Sequence, residues 1–360
     1  MNPAVLSSVV HCIVGCNVGS PDLQALHVLE CNTETGEAKI VQSVKGIQGT
    51  TYYQIADGGK SLVSSITEVI DGKKRGVAVK FALENGRIGK MTRLATLTNE
   101  NPCYVAISPD GKTAGYAAYV SATASAVSLA DPSAVACDII PDDAMGPDKP
   151  RQEKAHAHCA FFTPDGARMG IVDLGCDRIR FYDPKTMALD EAMTIRFDPG
   201  DGPRHAIWSN DCKYLFVISE LGNFVTSFAW DGKKTFARVG KWSTLPAGCK
   251  DWSKASAIKL TADGKVLMAS NRGHDSIAFF DVNGGELKLR NVCKVGGVCP
   301  AGERGVFPRD FELMPGEKFM VVGRKKANEI QVFAFDRAKL EITPVGAPIS
   351  AWLPLCFKFL

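Results

Sequence analysis

Short apolar runs separated by turn residues recur along the chain and predict an all-β protein. The clearest unit is the stretch 151–183, RQEKAHAHCAFFTPDGARMGIVDLGCDRIRFYD, in which CAFFT, MGIVDL and IRFYD have the character of strands. The Thr163-Pro164-Asp165-Gly166 turn reverses the chain after the first strand, and Gly175-Cys176-Asp177 reverses it again. The sequence shows no long runs with a helical period, which argues against folds that alternate strands and helices.

The turn after the first strand repeats at an interval typical of a β-propeller. Its glycine, or the residue in that place, occurs at six positions separated by 53, 55, 46, 52 and 52 residues. These positions are Gly58, Gly111, Gly166, Cys212, Gly264 and Gly316. Propeller blades contain four short strands and span about 40 to 50 residues. The repeat therefore predicts four-stranded blades arranged in a ring.

The two ends of the chain supply a seventh blade. Near the start, VVHCIVGC, QALHVLECN and AKIVQSV read as second, third and fourth strands, and WLPLCFKFL at the end reads as the missing first strand. In that last run Pro354-Leu355-Cys356 is similar to Asn101-Pro102-Cys103, which opens another repeat. We therefore predict a seven-bladed β-propeller, one domain over residues 1–360, in which the C-terminal strand closes the N-terminal blade and removes open sheet edges.

The composition limits which binding partners and which cellular compartment we expect. The chain is 45% hydrophobic and 22% charged, and its 42 basic and 39 acidic residues give a net charge of +3, which favours neither a nucleic acid nor a membrane. The opening MNPAVLSSVVHCIVGCN has no basic lead and no run long enough to cross a bilayer, so we expect a cytoplasmic protein, monomeric or weakly homo-oligomeric. The twelve cysteines include no CxxC pair, so we expect reduced thiols and neither a metal nor another cofactor.

Antiparallel pairing brings polar residues of every blade to one end of the ring. Residues before a first strand and residues after a second strand lie at the same end of a sheet. Before the first strands stand residues 50–53, Tyr104, His156, His158, Arg204, His205, residues 253–256, Arg309 and Asp310. After the second strands stand Ser64, Ser65, Tyr119, Asp173, Glu220, Asn271, Arg272, Arg324 and Lys325. If the first strands line the channel, three arginines converge at its mouth and predict a site for a small anionic metabolite.

Other residues at this end have alternative interpretations. His156 and His158 point the same way if the segment alternates as an extended strand does, but only one of them needs to face the ligand. Arg324 and Lys325 fit either a solvated turn or a phosphate site. His274 and Asp275 fit a role in holding their loop, and we expect no functional role for His11 and His27.

Several segments in the same order resemble the lactonase propeller family, which includes the cycloisomerase-like bacterial 6-phosphogluconolactonases and the fungal carboxy-cis,cis-muconate cyclases. These segments are PRQEKAHAH, DGPRHAIWSNDCKYLFVISEL, ASAIKLTADGKVLMASNRGHDSIAFFDV and GVFPRDFELMPGEKFMVVG, with weaker likeness in VGCNVGS and NTETGEAKI. The resemblance implies a seven-bladed fold, no required metal, and a channel-mouth site built from His158, Arg204, His205, Glu220, Arg272 and Arg309. The chain departs from the family in its Ala/Ser-rich second complete blade and in Gly323-Arg324-Lys325-Lys326, which affects substrate choice more than fold.

The resemblance implies hydrolysis of a sugar lactone, with 6-phosphogluconolactone of the pentose phosphate pathway as the expected substrate. We expect His205 to be the base, because an imidazole titrates near working pH whereas arginines lower the pKa of Glu220. Glu220 would orient His205 or Arg204, or share in activating water. Arg272 or Arg204 would stabilise the oxyanion.

The phosphate end of the substrate would be held by Arg309 together with Arg324 or Lys325, and His156 is a further candidate for contact with the substrate. Two other functions use the same residues. One is a muconate-type lactonising cyclase, in which an acid and a base move a proton across a diacid. The other is a non-catalytic propeller that binds a metabolite or a protein.

Overall fold

The computed structural model describes residues 8–97, 102–131, 135–141 and 145–360, without the side chains of residues 138 and 139. Residues 1–7 and Asn101, on which parts of the predictions above rest, lie outside the described residues. The first fourteen strands are β1 (Val9–Cys16), β2 (Leu26–Asn32), β3 (Ala38–Val44), β4 (Tyr53–Ala56), β5 (Ser61–Ile70), β6 (Lys73–Glu84), β7 (Arg87–Thr96), β8 (Tyr104–Ile107), β9 (Thr113–Ala118), β10 (Thr123–Ser128), β11 (Val135–Ile139), β12 (Ala157–Phe162), β13 (Met169–Asp173) and β14 (Arg178–Tyr182).

The remaining strands are β15 (Ile195–Arg196), β16 (Pro203–Trp208), β17 (Tyr214–Ser219), β18 (Phe224–Trp230), β19 (Phe236–Ser243), β20 (Lys254–Leu260), β21 (Val266–Arg272), β22 (Ser276–Asn283), β23 (Glu286–Lys294), β24 (Pro308–Leu313), β25 (Phe319–Arg324), β26 (Glu329–Asp336), β27 (Glu341–Ser350) and β28 (Pro354–Phe359). Short 3₁₀ helices cover Asp57–Gly59, Glu191–Met193 and Lys325–Ala327. The described residues contain no helix that is long and apolar enough to span a membrane.

These strands form seven four-stranded antiparallel sheets, which are the seven predicted blades. Blade 1 has the order β28-β1-β2-β3, and blades 2 to 7 take the following strands four at a time. β28 pairs with β1 through partners such as Ile13 with Lys358 and Gly15 with Cys356. The prediction that the C-terminal strand completes the N-terminal blade is therefore confirmed.

In blades 3 to 6 the predicted turn after the first strand has a common construction. In blade 4 the Thr163 hydroxyl donates to Asp165 Oδ1 at 2.6 Å, and in blade 5 Ser209 donates to Asp211 Oδ1 at 2.7 Å. The next residue takes a positive φ, +71° at Gly166 and +58° at Cys212. A left-handed backbone normally favours glycine, so Cys212 occupies the glycine position because the carboxylate holds the turn.

Apolar side chains fill the space between neighbouring blades. Four consecutive residues of β17, from Leu215 to Ile218, are completely buried, because both faces of the blade are covered by other blades. The glycine at position 115 in β9 allows blade 4 to approach, since an added Cβ would lie 2.4 Å from Met169 Sδ. Blades also bond directly: the indole of Trp208 donates to the carbonyl of Phe162 at 2.9 Å. This packing fixes the ring and therefore the mouth of the channel.

The twelve cysteines are all free thiols. Six of them are buried, and Cys212 and Cys299 are exposed. Burial raises the pKa of Cys16 to about 12, as expected of a small apolar residue without a redox role. The prediction of reduced thiols agrees with this arrangement.

Candidate active site

A pit of about 380 Å³ opens at the end of the channel where the inner strands begin. Its lining residues come from all seven blades or the loops between them: Asn17, Thr51, Tyr52, Cys103, Tyr119, Arg151, His158, Arg204, His205, Glu220, Arg272, Arg309, Lys325 and Leu355. Five of these side chains are basic and one is acidic. The pit therefore has the size of a small-molecule site and a strong positive potential.

Proline and a β-bulge at the start of the inner strand direct several of these side chains into the pit. In blades 1, 5 and 7 the register shifts directly after Pro354, Pro203 and Pro308, so the following residue has no partner on the second strand. Those following residues are Leu355, Arg204 and Arg309, and all three line the pit. Cys103 also follows a proline, Pro102, and also lines the pit. Proline cannot donate to the ladder, and a bulge changes the direction of a side chain.

His158 and His156 do not point the same way, and a bulge is again the reason. The register of β12 shifts between Ala157 and Cys159, which breaks strict alternation and turns His158 into the pit. His156 instead stacks on Tyr119, with ring centroids 4.1 Å apart, and its ring nitrogens lie 3.0 Å from Tyr119 O and from Glu153 Oε1. The expectation that His156 contacts the substrate is therefore not supported.

Glu220 holds three arginines in place. Its carboxylate lies 3.1 Å from Arg204 Nε, 2.7 Å from Arg272 Nη2 and 2.6 Å from Arg151 Nη2. Burial alone would raise the pKa of Glu220, but the three guanidiniums together hold it well below its usual value. A permanently ionised, triply paired carboxylate is a poor base, so Glu220 acts as a positioning residue. It is paired with Arg204, one of the two partners we expected for it.

Arg204 and Arg272 are fixed on the remaining sides by backbone carbonyls. Arg204 Nη1 donates to Ser256 O at 2.7 Å, and Arg272 donates to Lys254 O at 3.2 Å and to Ala255 O at 3.0 Å. Within the described residues, Arg204 Nη2 and Arg272 Nη1 keep their N–H groups without a protein acceptor. Each arginine therefore presents one rigidly held terminal nitrogen toward the pit.

Arg309 and Lys325 are the cations of the pit that lack a counter-charge. Neither side chain has a hydrogen bond or an ion pair to the part of the chain that the structure describes. Burial, followed by repulsion from Arg204 and Arg272, lowers the pKa of Arg309 to about 9. Burial and the charge of Arg309 lower the pKa of Lys325 to about 7. Both shifts indicate positive charge that an anionic ligand would stabilise.

Arg324, the alternative to Lys325 in the sequence prediction, lies outside the pit. Its guanidinium donates to the carbonyl of Val295, and its Nη1 donates to Glu329 Oε2 at 3.3 Å. It also lies over the ring of Phe333, 5.6 Å from the centroid. The strand ends at Arg324 and the 3₁₀ turn begins at Lys325, so the two neighbouring side chains diverge. The expectation that Arg324 binds the substrate is not supported.

Two imidazoles, His158 and His205, pack edge to face beside each other in the pit, with ring centroids 5.4 Å apart. Burial, followed by the charge of Arg204, holds the pKa of both well below the usual value, so both rings are neutral at working pH. The expectation that His205 titrates near working pH is therefore wrong. Arg204 Nη1 lies 3.0 Å from Nε2 and 3.4 Å from Nδ1 of His205.

The two rings differ in their surroundings. Nδ1 of His158 is buried without a partner among the described residues. An unpaired buried N–H costs more than an unpaired ring lone pair. This favours the tautomer of His158 with its proton on Nε2, directed toward the pit.

Sequence reasoning gave no role to several residues in or beside the pit. Tyr52 and Tyr104 stack with ring centroids 3.9 Å apart beside His205, and their hydroxyls are 3.1 Å apart. Arg151 donates to the Tyr119 hydroxyl at 3.1 Å. Cys103 is no nucleophile, because burial raises the pKa of its thiol to about 11. The Pro-X pattern could have identified Cys103, whereas Arg151 lies in an irregular loop for which the strand-end rule makes no prediction.

The fold and the pit together define a β-propeller with a cation-rich small-molecule site at one mouth of its channel. The profile of the family described as "Lactonase, 7-bladed beta-propeller" matches residues 12–359. The chain therefore belongs to the lactonase family of seven-bladed β-propellers, as its sequence motifs predict.

Individual relatives agree with this membership. The chain is 36% identical to the 6-phosphogluconolactonase of Bacillus subtilis over 58% of its length, and the match spans 59% of that protein. It is 28% identical to the 6-phosphogluconolactonase of Formosa agariphila over 86% of its own length and 88% of that protein's. The periplasmic gluconolactonase of Pseudomonas aeruginosa superimposes with a TM-score of 0.84 over 98% of this chain and 99% of that one. At 22% identity, that last likeness concerns the fold.

Proposed function

We propose that this protein hydrolyses 6-phosphogluconolactone to 6-phosphogluconate, the lactonase step of the pentose phosphate pathway, in the cytoplasm. The observation that carries the proposal is the pair Arg309 and Lys325, two cations in the pit that have no counter-charge among the residues the structure describes. A phosphate near neutral pH carries close to two negative charges and several strong acceptors, which suits such a pair. The two relatives named above from Bacillus subtilis and Formosa agariphila carry the name of this activity.

The sugar ring would lie between this phosphate site and the two imidazoles. We assign His205 as the general base, because its ring is neutral at working pH and borders the pit. Before substrate binds, Nη1 of Arg204 would donate a hydrogen bond to the unprotonated ring nitrogen of His205. A water molecule would then replace Arg204 as the donor to that nitrogen. His205 would then accept a proton as the water oxygen attacks the lactone carbonyl carbon.

Arg204 and Arg272 would stabilise the oxyanion formed by that attack. Their free terminal nitrogens are held by Glu220 and by backbone carbonyls, so little reorganisation is needed as negative charge develops. Loss of one such donor typically costs about 2.7 to 4 kcal/mol of transition-state stabilisation. Arg151 would act through Glu220, whose second oxygen it fixes.

His158 would complete the reaction as a hydrogen-bond donor. When the tetrahedral intermediate collapses, the bond between the carbonyl carbon and the ring oxygen breaks. The imidazolium of His205, which holds the proton taken from water, would pass that proton to the ring oxygen, while Nε2 of neutral His158 donates a hydrogen bond to the same oxygen. The new carboxylic acid then ionises and releases one proton per turnover.

Acid release from freshly generated 6-phosphogluconolactone, measured above spontaneous hydrolysis, tests the proposal. We expect wild-type protein to accelerate acid release and His205→Ala to lower kcat at least about 100-fold, the lower end of the usual contribution of a general base. His11→Gln, a strand histidine that does not line the pit, serves as the matched control and should retain full activity. A folded wild-type protein that gives no acceleration would refute the proposal, and full kcat in His205→Ala would refute the assignment of the base.

A further inference from the structure

Three side chains with metal-binding chemistry come together in blade 6, away from the pit lining. Cys249 and Asp251 belong to the loop between β19 and β20, and His274 belongs to the turn between β21 and β22. One potential ligand atom from each residue lies within 4.8 Å of those from the other two. Among the residues that the structure describes, no other group of three histidine, cysteine or carboxylate side chains has its potential ligand atoms this close together.

The histidine ring of this group is already held by a hydrogen-bonded chain. Nδ1 of His274 lies 2.7 Å from the hydroxyl of Ser276, which also accepts from Asn271 Nδ2 at 3.2 Å. Asn271 Nδ2 in turn donates to the carbonyl of Thr244 at 2.9 Å, at the start of the loop that carries Cys249. Metal-binding histidines are characteristically oriented by such a bond to the ring nitrogen that does not bind the metal. Nε2 is then the nitrogen available as a ligand.

Direct packing also brings the loop and the turn together. Gly273 has a φ of +93°, and an added Cβ would lie 2.4 Å from the ring of Trp252. The glycine therefore allows Trp252, one residue after Asp251, to lie against the turn that carries His274. This contact holds the loop and the turn together independently of any ion.

The distances require little movement to form a tetrahedral site. Zinc bound to sulfur, nitrogen and oxygen has ligand atoms separated by about 3.4 to 3.6 Å, from bond lengths of about 2.0 to 2.3 Å. The present separations of at most 4.8 Å would therefore close by up to about 1.4 Å. His274 is buried, Cys249 is half-buried and Asp251 is exposed, so the cysteine and the aspartate can rotate onto the fixed imidazole.

The chemistry of the ligands selects the ion. A thiolate, an imidazole and a carboxylate together suit zinc, whereas magnesium and calcium require oxygen ligands. The two anionic ligands would balance the charge of a divalent ion. The turn that carries His274 is also held by Lys294, whose Nζ donates to the carbonyl of His274 at 2.7 Å.

We propose that Cys249, Asp251 and His274 form a zinc site on the face of the propeller that carries the pit, with water as the fourth ligand. Binding transfers the thiol proton of Cys249 to solvent. The site joins the loop that precedes Lys254 to the turn that follows Arg272. Since Arg272 donates to the carbonyl of Lys254, zinc would stiffen the segment that holds this arginine against Glu220.

Cobalt(II) titration of metal-free protein tests the site with a spectroscopic probe. The background is Cys212→Ser/Cys299→Ser, which removes the two exposed thiols. We expect one equivalent of cobalt to give a thiolate-to-cobalt charge-transfer band with the intense visible bands of tetrahedral cobalt, and we expect zinc to displace it. Cys249→Ser should abolish the charge-transfer band, and Asp251→Asn at its exposed position should weaken binding at least tenfold. The matched control Cys293→Ser, a half-buried thiol of β23, should bind as the background does.

Thermal unfolding in the presence of a chelator checks that each variant folds, and equal transitions for background and variants are expected. Absence of the cobalt bands in the folded background would overturn the proposal. So would bands that survive in Cys249→Ser, or unchanged affinity in Asp251→Asn.

Discussion

Replacing Arg309 by methionine should remove the preference for a phosphorylated lactone while leaving the fold intact. A charge-assisted hydrogen bond contributes about 1.5 to 3 kcal/mol, which corresponds to a rise in KM of about 10- to 150-fold. The protein itself does not depend on this charge, since burial, followed by repulsion from neighbouring arginines, lowers the pKa of Arg309 to about 9. We therefore expect a urea midpoint equal to or above that of the wild type.

Initial rates of acid release from 6-phosphogluconolactone and from glucono-δ-lactone provide the assay. For Arg309→Met, kcat/KM should fall about 10- to 150-fold on the phosphorylated substrate and change less than about twofold on the other. Arg196→Met removes an exposed arginine of blade 4 and serves as the matched control. Equal losses on both lactones would show that Arg309 acts in the chemical step, and no loss on either would refute its role in binding phosphate.

Three further predictions follow from the same contacts. Deleting residues 352–360 removes β28 and exposes the edge of β1, so the protein should aggregate or lose its cooperative unfolding; a sharp, unshifted melting transition would contradict this. Because Lys325 has a pKa of about 7 in the free protein, it is charged below that pH and neutral above it. kcat/KM for the phosphorylated lactone should therefore fall as pH rises through about 7, and an identical alkaline limb with glucono-δ-lactone would argue against this assignment. Glu220→Gln leaves three arginines unneutralised and should lower the free energy of unfolding, measured by urea titration, by about 3 to 5 kcal/mol. The control Glu153→Gln, at an exposed position, should not show this loss. Equal urea midpoints for the two variants would show that the paired carboxylate does not hold the site together.

The ring could be predicted because its physical causes are local and repeated. The turn at Gly166 needs a positive φ and a capping aspartate, and the same aspartate and hydroxyl recur in blades 3 to 6. The closure of blade 1 could be predicted because WLPLCFKFL is an apolar strand that has no partner unless it pairs with β1. Both inferences need only short-range patterns and the rule that sheet edges are covered.

The end of the ring that holds the site could also be predicted, but the direction of individual side chains could not. Antiparallel pairing placed His158, Arg204, His205, Glu220, Arg272, Arg309 and Lys325 at one mouth, and the structure brings these seven together. Strict alternation failed for His156 and His158 because a bulge in β12 adds an unpaired residue. Prolines mark the bulges at Arg204 and Arg309, whereas the bulge at His158 has no proline before it.

The electrostatic roles within the site depend on three-dimensional pairing and lie beyond sequence reasoning. Arginines that look equivalent in the sequence differ completely in their partners. Arg272 is neutralised by Glu220, Arg309 has no counter-charge among the described residues, and Arg324 bonds outside the pit. Only the contacts show which cation is available to a ligand.

A crystal structure of the complex with 6-phosphogluconate tests most directly that one pit binds and converts a phosphorylated sugar acid. We expect the phosphate within hydrogen-bonding distance of Arg309 and Lys325, and the carboxylate beside His158 and His205 near the free nitrogens of Arg204 and Arg272. A product molecule bound outside the pit, or one whose phosphate contacts neither Arg309 nor Lys325, would contradict the account.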